Sequence, residues 1–190
     1  MERDCIETVR LFPELNARLV ELVAGMKASD WETRTRFPGW KVKDILAEMI
    51  GRYQDELSDF LATLDPYAEA LFPVAWAGES RSANWSDVAR EYTERWHHQM
   101  QIRDALGAEP IYSRRLYYPV LDTFMRALRH HFRDFARESG KDPDTLVTIG
   151  GDRAWRIFTK WGGVSDRDLS IAGDRELGRR LLDMTCIMLS

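Results

Sequence analysis

Cysteine is scarce in this chain, with only Cys5 and Cys186 among 190 residues. Two thiols near opposite ends give no disulfide framework to read from spacing, and a reducing compartment is the simpler account of them. No apolar run approaches the ~20 residues that span a bilayer. The opening MERDCIETVR carries charges where a signal peptide needs an apolar stretch, so the expectation is a cytoplasmic protein with no membrane partner. An excess of basic charge is missing too. Lys and Arg total 27 against 31 Asp and Glu, a formal net charge of -4, and the arginines are scattered through mixed-sign segments. A phosphate-backbone footprint needs concentrated positive charge, so no nucleic-acid partner is expected. A Gly-x-Ser-x-Gly elbow is absent, and neither Gly150-Gly151 nor Gly162-Gly163 has the Lys-Ser or Lys-Thr that completes a phosphate loop. Covalent nucleophilic catalysis therefore has no candidate here.

Amphipathic periodicity is abundant. Leu11, Leu15, Leu19, Leu22 and Met26 recur at spacings of three and four, predicting a helix over about 6–26. Pro13 either kinks it or marks its true first turn. Val42, Leu46, Met49, Tyr53, Leu57, Phe60 and Leu64 predict a second helix over 42–64, stopped by Asp65-Pro66. A third is expected over 85–106, capped by Asn84, with Val88, Tyr92 and Trp96 on one face and Gly107 as its stop. A fourth, beginning near Pro119 and closing at about 138, carries Leu121, Phe124, Leu128, Phe132 and Phe135. Four such stripes can be buried only against each other, so residues 1–140 are read as a four-helix bundle.

The connections carry their own signals. Pro38-Gly39 marks a turn, and the flanking Trp31, Phe37 and Trp40 predict that this linker is packed down on the body. The stretch from Asp65 to Asn84 is long, aromatic and Pro-rich, which suggests a functional crossover. After Gly140 the pattern changes. Strands are expected at 145–149, 154–159 and 168–172, with a closing helix from Gly173-Asp174 that carries Leu177, Leu181, Met184 and Met188. Residues 141–190 thus read as a small α+β extension to a mainly α protein. It is too small to stand alone and is expected to dock on the bundle or on a second subunit of a homodimer.

Chemistry has few places to sit. The histidines form two adjacent pairs, His97-His98 and His130-His131, and neighbours on a helix point about 100° apart. Glu94 and His98 are four residues apart, which stacks a carboxylate and an imidazole on one helix face. That pair can chelate if a third ligand faces it; otherwise it is a surface ion pair. Glu48 lies on the shoulder of the second stripe beside Met49, with Asp44 and Arg52 four residues to either side. It is either part of a helix-surface charge network or turned inward toward a partner or metal. His131 beside Leu128 and Phe132 reads as a boundary histidine held by a hydrogen bond.

Two motifs carry a family resemblance. Trp31, Thr35, Pro38, Gly39, Trp40, Val42 and Asp44 match one signature of the mycothiol-dependent maleylpyruvate isomerase-like proteins, within the DinB/YfiT-like superfamily. Glu94, Trp96, His98, Ile102, Arg103, Ala105, Leu106 and Gly107 match the second, and SIAGDRELGRRLLDM resembles the family's C-terminal end. The resemblance implies a DinB-like four-helix bundle with a divalent metal at one end, held by Glu48, Glu94 and His98, where Glu48 stands at a position the family fills with His. Phe37 stands where Cys is common, and Gln101 where Asp usually follows. The implied activity is that of a transferase or isomerase in which the metal activates a low-molecular-weight thiol, mycothiol or a similar one, toward a small electrophilic substrate. A two-carboxylate, one-imidazole set is harder than a His-Glu-His set, so among the candidate ions Zn, Ni, Mn and Fe it favours Mn or Fe more, and Mg as well, and donates less well to Zn. The competing expectation is a non-catalytic binding or regulatory protein with a degenerate metal site.

Overall fold

The structure, a computed structural model, describes residues 5–50, 54–73, 80–139, 145–162 and 165–184. It is mainly helical, with one small two-stranded antiparallel sheet among the described residues. The chain forms two compact units: residues 1–73 with 81–120, and residues 74–80 with 121–190.

The first unit starts with a 3-10 turn over Val9–Leu11 that runs into α1 (Phe12–Ala24). Pro13 sits in the first turn of α1, where a missing N–H costs nothing, so the stripe is not kinked. Phe12, Leu15 and Leu19 are buried. The expected turn at Pro38-Gly39 is present. Gly39 has φ 84°, a left-handed value that favours glycine, and the Trp40 N–H donates to the Phe37 carbonyl at 3.1 Å. The Thr35 hydroxyl donates to the Trp40 carbonyl at 3.1 Å, and the Phe37 and Trp40 rings meet edge to face at 5.2 Å. Trp31 and Trp40 pack down on a cluster of Leu19, Val42, Ile45, Leu46, Met49 and Ile102, as the linker's aromatic content predicts.

Helix α2 spans Val42–Ile50 and α3 spans Gln54–Thr63; residues 51–53, including Tyr53 of the expected stripe and the charged Arg52 expected near Glu48, lie outside the described residues. After α3 the chain folds back on itself. Glu69 pairs with Ala83, the Ala70 N–H donates to the Ser82 carbonyl at 2.8 Å, and Arg81 grips Glu69 through two nitrogens. Helix α4 runs Asn84–Leu106. Asn84 does not cap it. Ala83 holds that position, and the Asn84 amide donates to the Asp65 carbonyl at 2.9 Å, tying the crossover to the helix start. Gly107 ends α4 with φ 63°. α5 (Arg114–Ser139) begins five residues before Pro119, which lies inside the helix. Ser113 precedes it, and its hydroxyl accepts from the Leu116 N–H at 3.4 Å. The first two turns of α5 belong to this unit. α2 packs on α4, and α1 packs on α3 and α4.

The second unit holds the rest of α5, β1 (Leu146–Ile149), α6 (Gly151–Phe158), β2 (Leu169–Ala172) and α7 (Arg175–Met184). β1 and β2 pair antiparallel, with Leu146 opposite Ala172 and Ile149 opposite Leu169. The strand expected over 154–159 is instead α6. Ala154, Trp155, Arg156, Phe158 and Thr159 are buried, and the pairs Ala154 with Phe158 and Trp155 with Thr159, each four residues apart, lie one helical turn from each other, whereas a strand would not bury the adjacent Ala154 and Trp155 on one side. Gly150 starts it by accepting the Ala154 N–H at 3.0 Å. Phe158 stacks on Phe124 at 5.1 Å, and Trp155 lies 6.3 Å from Trp161. Phe132 and Phe135 of the α5 stripe, His130, His131, Cys186 and Met188 lie outside the described side chains. Among the described residues, no helix is long and apolar enough to cross a membrane.

Candidate functional site

α4 carries the candidate residues, and it is buried on more than one face. Val88, Tyr92 and Trp96 are buried as their spacing predicts. Their polar atoms are met. The Tyr92 hydroxyl donates to the Leu116 carbonyl at 2.9 Å, the Trp96 indole N–H donates to the Ile111 carbonyl at 3.1 Å, and the Trp96 ring stacks on Tyr117 at 4.7 Å. Polar residues fill other faces of the same helix. Glu91 and Arg95 form a buried ion pair at 3.1 Å, with the Arg95 guanidinium over the Phe12 ring. Gln99 donates to the Leu15 carbonyl at 2.8 Å. A helix this central needs internal partners for such groups, because water is not there to supply them.

Glu94 and His98 stand one turn apart, both half-buried. Glu94 accepts from Arg90 at 2.6 Å, and Arg90 also reaches Asp87 at 2.9 Å. Burial pushes the Arg90 guanidinium down, but Glu94 and Asp87 outweigh it and hold it above its ordinary value. The His98 Nδ1 lies 2.9 Å from Gln101 Oε1. With the amide oxygen assigned to that side, Nδ1 carries the proton and donates, which leaves the Nε2 lone pair as the ring's basic position. His97 is a different case. It is buried, its ring centroid is 6.0 Å from that of His98, and burial, reinforced by His98, pushes it down to about 3. It stays neutral at any ordinary pH.

Glu48 is exposed on α2 between the buried Ile45 and Met49. The Asp44 carboxylate accepts the Lys41 N–H at 2.8 Å and closes the first turn of α2, and Arg52, the cation expected beside Glu48, lies outside the described residues. Met49 shares one hydrophobic cluster with Ile102, and His98 is one turn before Ile102 on α4. Glu48 and His98 are thus close in sequence to residues that meet where α2 packs on α4. Among the described residues, no group of three or more His, Cys, Asp or Glu is placed so that it could hold a metal ion.

Two contacts on α4, those of Arg90 and of Gln101, escaped the sequence reading. Arg90 is three residues from Asp87 and four from Glu94, and Gln101 is three from His98, so both were accessible to the helix-spacing rule. What spacing does not tell is that these contacts are half-buried, where they weigh more than on an open surface. No family model, no curated protein and no solved structure matches this chain.

Proposed function

We propose that the chain is a DinB-like, maleylpyruvate isomerase-like protein whose α2–α4 seam takes a divalent cation (Zn, Ni, Mn or Fe) through Glu94 and His98, with Glu48 as the third ligand, and uses it to transfer or isomerise a small electrophile with a low-molecular-weight thiol. The observation that carries this reading is the Gln101–His98 contact. Metal-ligating histidines engage their other ring nitrogen with an acceptor, which fixes the tautomer and the ring's direction. His98 is held that way, with Nε2 left to bind. Glu94 suits the same ion once Arg90 swings aside, and Glu48, exposed on α2, would supply the third ligand and the second carboxylate. Such an ion lowers the pKa of a bound thiol, so that a thiolate forms near neutral pH. The chain's own part is to orient the imidazole, to keep His97 neutral beside it, and to wall the seam with Met49 and Ile102.

A second reading has its own support. Arg90 already supplies a positive charge to Glu94 and Asp87, which suits a binding or regulatory protein whose metal site has degenerated. Elemental analysis of protein purified without chelator separates the two, run beside His98→Ala and Arg90→Ala. The enzymatic reading expects a bound ion in the wild type, its loss in His98→Ala, and tighter binding in Arg90→Ala, with thiol-dependent turnover following metal content. An empty wild type that stays empty after incubation with Mn, Ni or Zn, including in Arg90→Ala, leaves the binding-protein reading.

A further inference from the structure

Arg90 stands between two carboxylates on one face of α4. Its Nε and Nη2 both lie 2.9 Å from Asp87 Oδ1, and its Nη1 donates to Glu94 Oε1 at 2.6 Å. The side chains of Asp87, Arg90 and Glu94 are 24%, 23% and 20% exposed, so each charge has lost most of its water and depends on the others. The two grips are unequal. Asp87 is met through one oxygen, and among the described residues its Oδ2 takes no hydrogen bond. A small turn of the guanidinium about that contact brings both Asp87 oxygens onto the fork, the side-on pairing that guanidinium and carboxylate favour. Glu94 holds the same cation through a single nitrogen.

That asymmetry bears on the seam. A divalent cation reaches Glu94 only when Arg90 releases it, and a half-buried guanidinium left without a carboxylate is costly. Asp87 removes the difficulty, because it can take the whole fork once Glu94 is withdrawn. We infer that Asp87 is a positioning residue for the cation site proposed above: it receives Arg90 when a divalent ion takes Glu94 and His98, and so sets how readily the chain exchanges its own cation for an external one. The inference rests on the metal-binding reading of the seam. Asp87 is not itself a ligand. Glu94 is seven residues further along α4, a rise of about 10 Å, which is about one Debye length, so the direct pull of Asp87 on the ion is largely screened. An acid in the first turn of α4 also suits the helix dipole, but that role does not involve Arg90.

The test is a double-mutant cycle on cation affinity in the full chain, with zinc(II) and manganese(II) each titrated against a chromogenic chelator at about 0.15 M salt. Asp87→Asn should weaken binding about tenfold in the wild-type background, the weight of one charge-assisted hydrogen bond at the lower end of its range. In an Arg90→Ala background, where there is no guanidinium to receive, the same change should weaken it less than about twofold. Asp87→Ala should repeat both results. An equal loss in the two backgrounds makes Asp87 a distant charge and overturns the inference. So does no change in either, and so does a gain, which would show Asp87 holding Arg90 onto Glu94. A second cycle needs no metal. In chelator-treated protein, Glu94→Gln and Asp87→Asn should each shift the urea midpoint little, because the guanidinium keeps one carboxylate, and the double variant should lose more than the two single variants together. Additive losses overturn the inference even where the cations bind. Greater-than-additive losses with neither cation bound in any variant, Arg90→Ala included, instead bring down the metal-binding reading of the seam, and the exchange with it.

Discussion

Gln101 Oε1 sits 2.9 Å from His98 Nδ1, so a buried amide one turn along α4 fixes which imidazole nitrogen is basic. Replacing it with leucine keeps the volume and removes the acceptor. Gln101→Leu should weaken the divalent-cation binding proposed for His98 by about 10- to 100-fold, the usual consequence of losing the group behind a ligating histidine. Helix content should not change, since Tyr92 and Trp96 pack the helix from other positions. A competition titration against a chromogenic chelator measures it, and equal affinities in the two proteins would remove Gln101 from the site.

His97 makes stability depend on pH. In the unfolded chain this imidazole protonates near its ordinary value, but in the fold burial holds it neutral down to about 3. Between those limits the unfolded state binds more protons, so stability rises with pH across the window and is lost as pH falls through it. The loss approaches its full size, on the order of 5 kcal/mol, only near the lower limit. Urea unfolding at several pH values between 7 and 4 should show that slope, and His97→Gln should flatten it.

The Glu91–Arg95 pair should behave as a buried bridge, with both side chains at 10% exposure or less. Arg95→Leu leaves the Glu91 carboxylate buried without its guanidinium and should cost about 3–5 kcal/mol. Adding Glu91→Leu to it should recover much of that loss, because desolvation of two ions consumes most of what their attraction supplies. Denaturant midpoints for the two single variants and the double variant give the coupling directly.

In the second unit, Gly178 of α7 lies against Ile171 of β2 so closely that an added Cβ would fall 2.5 Å from the Ile171 Cγ2. The obstacle is a branch methyl on a strand, not the far end of a flexible chain. Gly178→Ala should therefore destabilise this unit by about 1–3 kcal/mol despite alanine's better helix propensity. Thermal unfolding followed by circular dichroism measures it, and pairing the change with Ile171→Ala, which removes the Cγ2 methyl, should relieve it, whereas Ile171→Val, which keeps that methyl, should not.

How much of this was legible depended on the length of the pattern. α4, with a 23-residue run and a glycine at its end, was placed within one residue of its observed start. α6 was misread because eight residues containing Trp155, Ile157 and Phe158 suit a strand by composition, and only burial of Ala154 with Phe158 and of Trp155 with Thr159 reveals the helical period. At the seam, the Glu94–His98 relation was readable because one helix fixes it by itself. The exposure of Glu48 was not, since it depends on how α2 is rotated against α4, which the shared burial of Met49 and Ile102 sets.

By itself, then, the sequence determined what a single helix can determine: where apolar stripes lie, where Gly107 and Pro38-Gly39 end or turn the chain, and which side chains sit one turn apart. Those relations are local, and backbone geometry alone enforces them. Tertiary structure decided everything that needs a second element. It buried Arg95 beside Glu91 and made His97 a neutral base. It put Asn84 to work on the Asp65 carbonyl instead of its own helix. The reason is that burial converts a polar group from a solvated one into one that must be met, and which groups are buried is fixed only when the helices have packed.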